Sequence, residues 1–129
     1  ILRKLEDIDL YPTGCERMKD DGSFRFGVEQ QDLDEAKRGL KIAEKLIVEG
    51  DQDLLILDEV LAAVAYDLAD QSDVEGLLDL YDKDRRFELV LSGHKVWDNL
   101  VDRVELITEM RKVKHYYAKG TPARLGIEF

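Results

Sequence analysis

Asp58 and Glu59 are two adjacent carboxylates that directly follow the apolar run Leu54-Leu55-Ile56-Leu57. An apolar strand ending in acids delivers them to the carboxyl edge of a sheet, where open α/β sheets bind their ligands. Four hydrophobic residues followed by an acid form the Walker-B pattern, in which the acid holds Mg²⁺ directly or through water. A second reading stays open: the two acids cap a following helix whose apolar face is Leu61, Val64, Ala65 and Leu68. A Walker B implies a Walker A, G-x-x-x-x-G-K-[ST], whose backbone N–H groups wrap phosphate. No glycine here is followed by Lys and then Ser or Thr; Lys119-Gly120-Thr121 has the wrong order and runs into Pro122. The single cysteine, Cys15, has no His near it in sequence and reads as an incidental thiol.

Those carboxylates need a scaffold, and the pattern predicts alternating strands and helices. A short strand is expected at about 7–11, broken by Pro12 and Gly14, and then a long polar loop over 15–32. Leu33, Ala36, Leu40, Ala43, Leu46 and Ile47 form one stripe of a helix over 33–49, with Asp32 and Asp34 at its start and Gly50 at its end. LLILD at 54–58 has the unbroken apolar character of a strand buried on both faces. A helix over 73–84 after Ser72, a strand at 87–93, a short helix at 95–102 carrying Trp97 as a core residue, and a strand at 104–110 complete the pattern. The acidic runs at 29–35 and 67–84 read as solvated helix faces. This alternation predicts an α/β fold with a doubly wound, mainly parallel sheet, in a single domain over 1–129.

Composition narrows the partners. With 129 residues and 44% hydrophobic content the chain has material for one core. A formal net charge of −10 repels nucleic acid and anionic membrane surfaces, so neither is an expected partner. One cysteine excludes an internal disulfide and fits a reducing cytoplasm. No apolar run approaches the roughly 20 residues of a membrane span, and no signal-peptide pattern opens the chain. The first residue is Ile rather than Met, which is compatible with processing or with a trimmed start.

Three segments together resemble a known family: LLILDEVLAAVAYDL at 54–68, FELVLSG at 87–93, and VELITEMRKVKHYYAKGTPARLGIEF at 104–129. They look like the later part of the P-loop ATP:cob(I)alamin (corrinoid) adenosyltransferases, with their V-x-L-D-E strand, T-G-R strand and a tail reading T-E-M … K-H … G-I-E. In this chain the tail residues are Asp102, Thr108, Glu109, Met110, Arg111, Val113, Lys114, His115, Gly120, Ala123, Gly126, Ile127 and Glu128. Upstream, EDIDLYPTG at 6–14 resembles the strand before the family's aromatic loop, and Phe24-Arg25-Phe26 resembles the F-x-W of that loop. The resemblance implies a sheet of the P-loop NTPase (RecA-like) type, here incomplete at its N-terminus because the Walker-A segment has no counterpart.

It also implies a reaction. Cob(II)alamin loses its lower axial ligand and is reduced to Co(I), which attacks the 5′ carbon of ATP and releases triphosphate. By position Glu59, with Asp58, is the Mg²⁺-binding carboxylate, and His94 stands where the family has a phosphate-contacting Arg. Phe24 and Phe26 fall where loop aromatics cover the corrinoid, unless one of them plugs the core. Lys114 and His115 either approach the corrinoid or decorate the surface; Tyr116 and Tyr117 have no assigned role. ATP and corrinoid are the expected partners, with a reductant protein and a second copy of the chain. The missing Walker A leads us to expect impaired transfer, and a non-catalytic corrinoid-binding or partner-binding paralogue is the alternative.

Overall fold

The computed structural model describes residues 2–17, 25–122, 124 and 126. Phe24 and the end of the tail lie outside them. The architecture is α/β around a small parallel sheet of two strands, β1 (Leu54–Leu57) and β2 (Glu88–Leu91). Parallel strands need a long crossover, which α2 (Val60–Ala65) and α3 (Gln71–Tyr81) supply. Helix α1 (Gln30–Glu49) precedes β1 and packs on α3, and the single turn α4 (Asp98–Val101) follows β2. Short 3₁₀ turns occupy Leu2–Lys4 and Tyr116–Lys119.

Alternation along the strands decides where the core sits. Leu55 and Leu57 on β1, with Leu89 on β2, point toward α1 and α3 and meet Ala43, Ile47, Leu77 and Phe87. A second cluster joins Leu61, Leu78 and Leu100, edged by Leu91, Trp97 and Val104. The opposite side of the sheet carries Leu54, Ile56 and Val90, all substantially exposed. The expected burial of LLIL on both faces is therefore corrected: among the described residues one face is covered. Trp97 is half-buried, packs against the second cluster and donates its indole N–H to Glu75 Oε1 at 2.9 Å.

Both long helices start earlier than periodicity predicts, for the same reason. At α1 Glu29 is the cap, and Asp32 sits three residues on, accepting the Glu29 N–H at 2.9 Å. At α3 the pair is Asp70 and Asp73, with the Asp70 N–H donated to Asp73 at 2.9 Å, so Ser72 lies inside the helix. A capping box requires a side chain at the third helical position to reach back, which selects these carboxylates. The carboxyl end of α1 is closed by Arg86, whose Nη2 donates to the carbonyls of Ile47 and Val48 at 3.2 and 3.0 Å.

Two predicted strands do not form. Residues 7–11 and 104–110 carry no strand, because a strand exists only against a partner backbone and the described ladder runs between β1 and β2 alone. The 104–110 stretch is instead tied by its charges: Arg103 bonds Asp82 at 2.6 Å and Asp79 at 2.8 Å, and Arg85 pairs with Glu105.

The acidic start of α1 also departs from a solvated face. Asp32 is only 4% exposed and receives Arg25 through two parallel bonds of 2.9 and 2.7 Å, with Arg17 at 3.4 Å. The Arg25 N–H bonds the Arg17 carbonyl at 2.8 Å, so the backbones of the two arginines that meet this carboxylate are held together. The Arg25 guanidinium, then the Glu29 backbone N–H, hold Asp32 well below the usual carboxylate range. Cys15, beside it, has its thiol pushed up by burial and by the Asp32 charge, so it remains protonated and is not an activated nucleophile.

Two outcomes follow from this packing. Leu100 is 2% exposed and Leu106 is 82% exposed. Urea unfolding should show Leu100→Ala losing about 2–5 kcal/mol and Leu106→Ala staying within about 0.5 kcal/mol; equal losses would mean that 104–110 is packed as a strand after all. For Asp32 the lowered pKa means that its stabilisation is complete above the ordinary carboxylate pKa of about 4 and is lost as pH falls below it. Asp32→Asn should therefore lower the thermal midpoint at neutral pH, and the gap to the parent should close below about pH 4. A gap independent of pH would show that the ion cluster is not its origin.

Candidate functional site

Register places the site. Leu57 pairs with Leu91, so the residues that leave β1 and β2 emerge side by side at their carboxyl ends. From β1 these are Asp58 and Glu59; from β2 they are Ser92, Gly93 and His94. The Ser92 N–H donates to the Leu57 carbonyl at 3.2 Å, and the Ser92 carbonyl accepts the Leu61 N–H at 3.1 Å. Its hydroxyl donates to Asp58 Oδ1 at 2.6 Å and accepts the Glu59 N–H at 2.8 Å.

Glu59 is held in the left-handed region, at φ 60°, and leads into α2. Its side chain makes no capping bond, which removes the capping explanation for this acid. The carboxylate stands instead at the surface, with Oε2 3.8 Å from Nε2 of His94. At that separation the pair is electrostatic rather than hydrogen-bonded, and it is attractive when the imidazole is protonated. Gly93 has φ 148°, and a Cβ there would fall 2.5 Å from the Ala62 backbone nitrogen and 2.7 Å from Leu61 Cβ. Only glycine lets the loop after β2 lie this close on the first turn of α2.

The chemistry of this edge suits a hard cation shared with a polyanion. Asp58 and Glu59 supply carboxylate oxygens, and Mg²⁺ is characteristically held by one or two carboxylates together with substrate phosphates. Among the described residues no group of three or more His, Cys, Asp or Glu side chains gathers into an all-protein metal cage. Asp58, Glu59 and His94 lie together at this edge.

The residues assigned to the corrinoid are not gathered at this edge in the same way. Phe26 is 85% exposed beside the anchored Arg25, and Phe24 lies outside the described residues. Lys114 and His115 sit on the exposed tail. There the His115 ring is 4.5 Å from that of Tyr116, its Nδ1 accepts the Tyr117 N–H at 3.1 Å, and Arg124 covers the Tyr116 ring at 4.9 Å. Sequence reasoning passed over Ser92, although its place one residue beyond an apolar run, like that of Asp58, was a usable signal. Arg17 and Arg25 were also missed as partners of Asp32; no periodicity links them.

Comparison with known proteins identifies the family of the chain. A model of the family described as ATP:corrinoid adenosyltransferase BtuR/CobO/CobP matches residues 2–129. A corrinoid adenosyltransferase of a Sinorhizobium species is 30% identical over 99 residues, covering 77% of this chain and 46% of that protein. Its counterpart from Pseudomonas aeruginosa is 28% identical over 100 residues, covering 78% and 48%. The one from Escherichia coli K12 is 23% identical over 122 residues, covering 93% and 61%. The chain spans about half the length of the first two. The match along nearly its whole length places the chain in the ATP:corrinoid adenosyltransferase BtuR/CobO/CobP family.

Proposed function

We propose that this chain serves cobalamin adenosylation, the transfer of the 5′-deoxyadenosyl group of ATP to Co(I) of a corrinoid. The observation that carries this reading is the carboxylate pair Asp58 and Glu59, latched to Ser92 at the open edge of the parallel strands in a chain of this family. Glu59 and Asp58 would hold Mg²⁺ against the ATP phosphates. When bound, the cation neutralises charge on the departing triphosphate. His94, 3.8 Å from Glu59, contributes a positive partner to phosphate in its protonated form. Phe26, with Phe24, would cover the vacated axial face of the corrinoid and exclude water, while Lys114 and His115 would meet its periphery.

The finer fold assignment belongs with this reading. The β1–α2–α3–β2 crossover is a unit of which doubly wound, P-loop (RecA-like) sheets are built, and 1–129 would be a single partial domain of that type. The half-exposed Leu54, Ile56 and Val90 suit a homodimer, since an apolar sheet face of this kind is more stable when covered. A separate reductant protein would supply the electron. The cytoplasm is the proposed compartment: no helix among the described residues is long and apolar enough to cross a membrane.

Electron paramagnetic resonance of cob(II)alamin tests the corrinoid role directly. With MgATP present, the parent should generate a four-coordinate signal, and Phe26→Ala should abolish it while leaving the circular dichroism unchanged. A parent-like signal from the variant would make Phe26 a bystander. Calorimetry tests the nucleotide role: without Walker-A amides the 129-residue polypeptide should bind MgATP more weakly than micromolar, and micromolar binding would mean that another part of the chain holds the phosphates.

A further inference from the structure

One side chain joins the two strand ends. Ser92 Oγ has a single proton and gives it to Asp58 Oδ1 at 2.6 Å, while a lone pair takes the Glu59 N–H at 2.8 Å. The direction of this relay is fixed, Glu59 N–H to hydroxyl to Asp58 carboxylate, and each bond polarises the next. The backbone of the same residue is fastened on both sides, to the Leu57 carbonyl at 3.2 Å and to the Leu61 N–H at 3.1 Å. Ser92 thus touches β1, both acids and the first turn of α2. Glu59 meanwhile occupies a left-handed conformation that a non-glycine residue keeps only when its surroundings impose it. Gly93 lies against the start of α2 that follows this turn, with no room for a Cβ beside Ala62.

We propose that Ser92 is the positioning residue of the carboxylate pair: its hydroxyl orients the Asp58 carboxylate and pins the Glu59 backbone in the left-handed turn that presents the Glu59 side chain beside His94. This rests on the reading that Asp58 and Glu59 hold the cation. A hydroxyl bonded to one acid and to the amide of the next makes their relative orientation a property of β2, so the pair is set only when both strands are in register. Residues that orient metal-binding carboxylates typically change cation affinity about 10–100-fold when removed. Ser92→Thr keeps the hydroxyl and Ser92→Ala deletes it.

The experiment compares the parent chain, Ser92→Ala, Ser92→Thr and Glu59→Gln. Amide hydrogen exchange at Glu59 is followed by NMR, and Mn²⁺ binding by the resonance of the free ion. Ser92→Ala should accelerate Glu59 exchange about tenfold or more and weaken Mn²⁺ binding about tenfold or more. The Leu61 amide, bonded to the Ser92 carbonyl and not to its hydroxyl, should keep its protection and so report that the fold persists. Ser92→Thr should restore both values. Parent-like Mn²⁺ affinity in Ser92→Ala, with or without faster exchange at Glu59, overturns the proposal, as does loss of affinity in Ser92→Thr equal to that in Ser92→Ala. Absence of Mn²⁺ binding by the parent, or parent-like binding by Glu59→Gln, overturns instead the assignment of the pair to the cation.

Discussion

The parallel register of β1 on β2 is the constraint from which the rest of this molecule follows. Pairing Leu57 with Leu91 brings two unrelated stretches, Asp58-Glu59 and Ser92-Gly93-His94, to one edge. A one-residue shift of β1 would turn Leu55 and Leu57 away from α1 and α3, and one of β2 would turn Leu89 away. Either would also separate the Ser92 hydroxyl from Asp58. The demand of the core for a particular register and the demand of the edge for a particular pair of neighbours are therefore met by one pairing.

A second constraint is electrostatic. A carboxylate as deeply placed as Asp32 is tolerated only when its charge is compensated, and Arg25 and Arg17 provide this together with the Glu29 N–H. The same bonds tie Arg25, the neighbour of Phe26, to the first turn of α1 through an ion cluster. Phe26 itself stands on the surface.

The sheet is covered on one side by helices and exposes Leu54, Ile56 and Val90 on the other. Gly93 lies tightly on the first turn of α2 and Leu100 of α4 packs against Leu61, whereas the described residues beyond 104 are largely exposed and are tied near their start by Arg85 and Arg103.

From the sequence alone, the two strands 54–57 and 88–91, the helices between and before them, and the placement of Asp58 and Glu59 at the carboxyl edge were legible, because apolar runs and helical stripes are local signals. That His94 joins them was decided by the pairing of the strands. The family was legible too, through the tail and the acid pair. The strands at 7–11 and 104–110 were not decided locally: β-propensity is realised only against a partner, and the described ladder offers them none. The starts of α1 and α3 were misread by up to three residues because a capping box depends on which carboxylate reaches back, not on periodicity. Ser92 and the Arg17–Arg25–Asp32 cluster emerged only from tertiary structure. A hydroxyl or a guanidinium acquires its role from the group it meets across the fold, and that meeting is set by register and loop closure, which no single stretch of residues records.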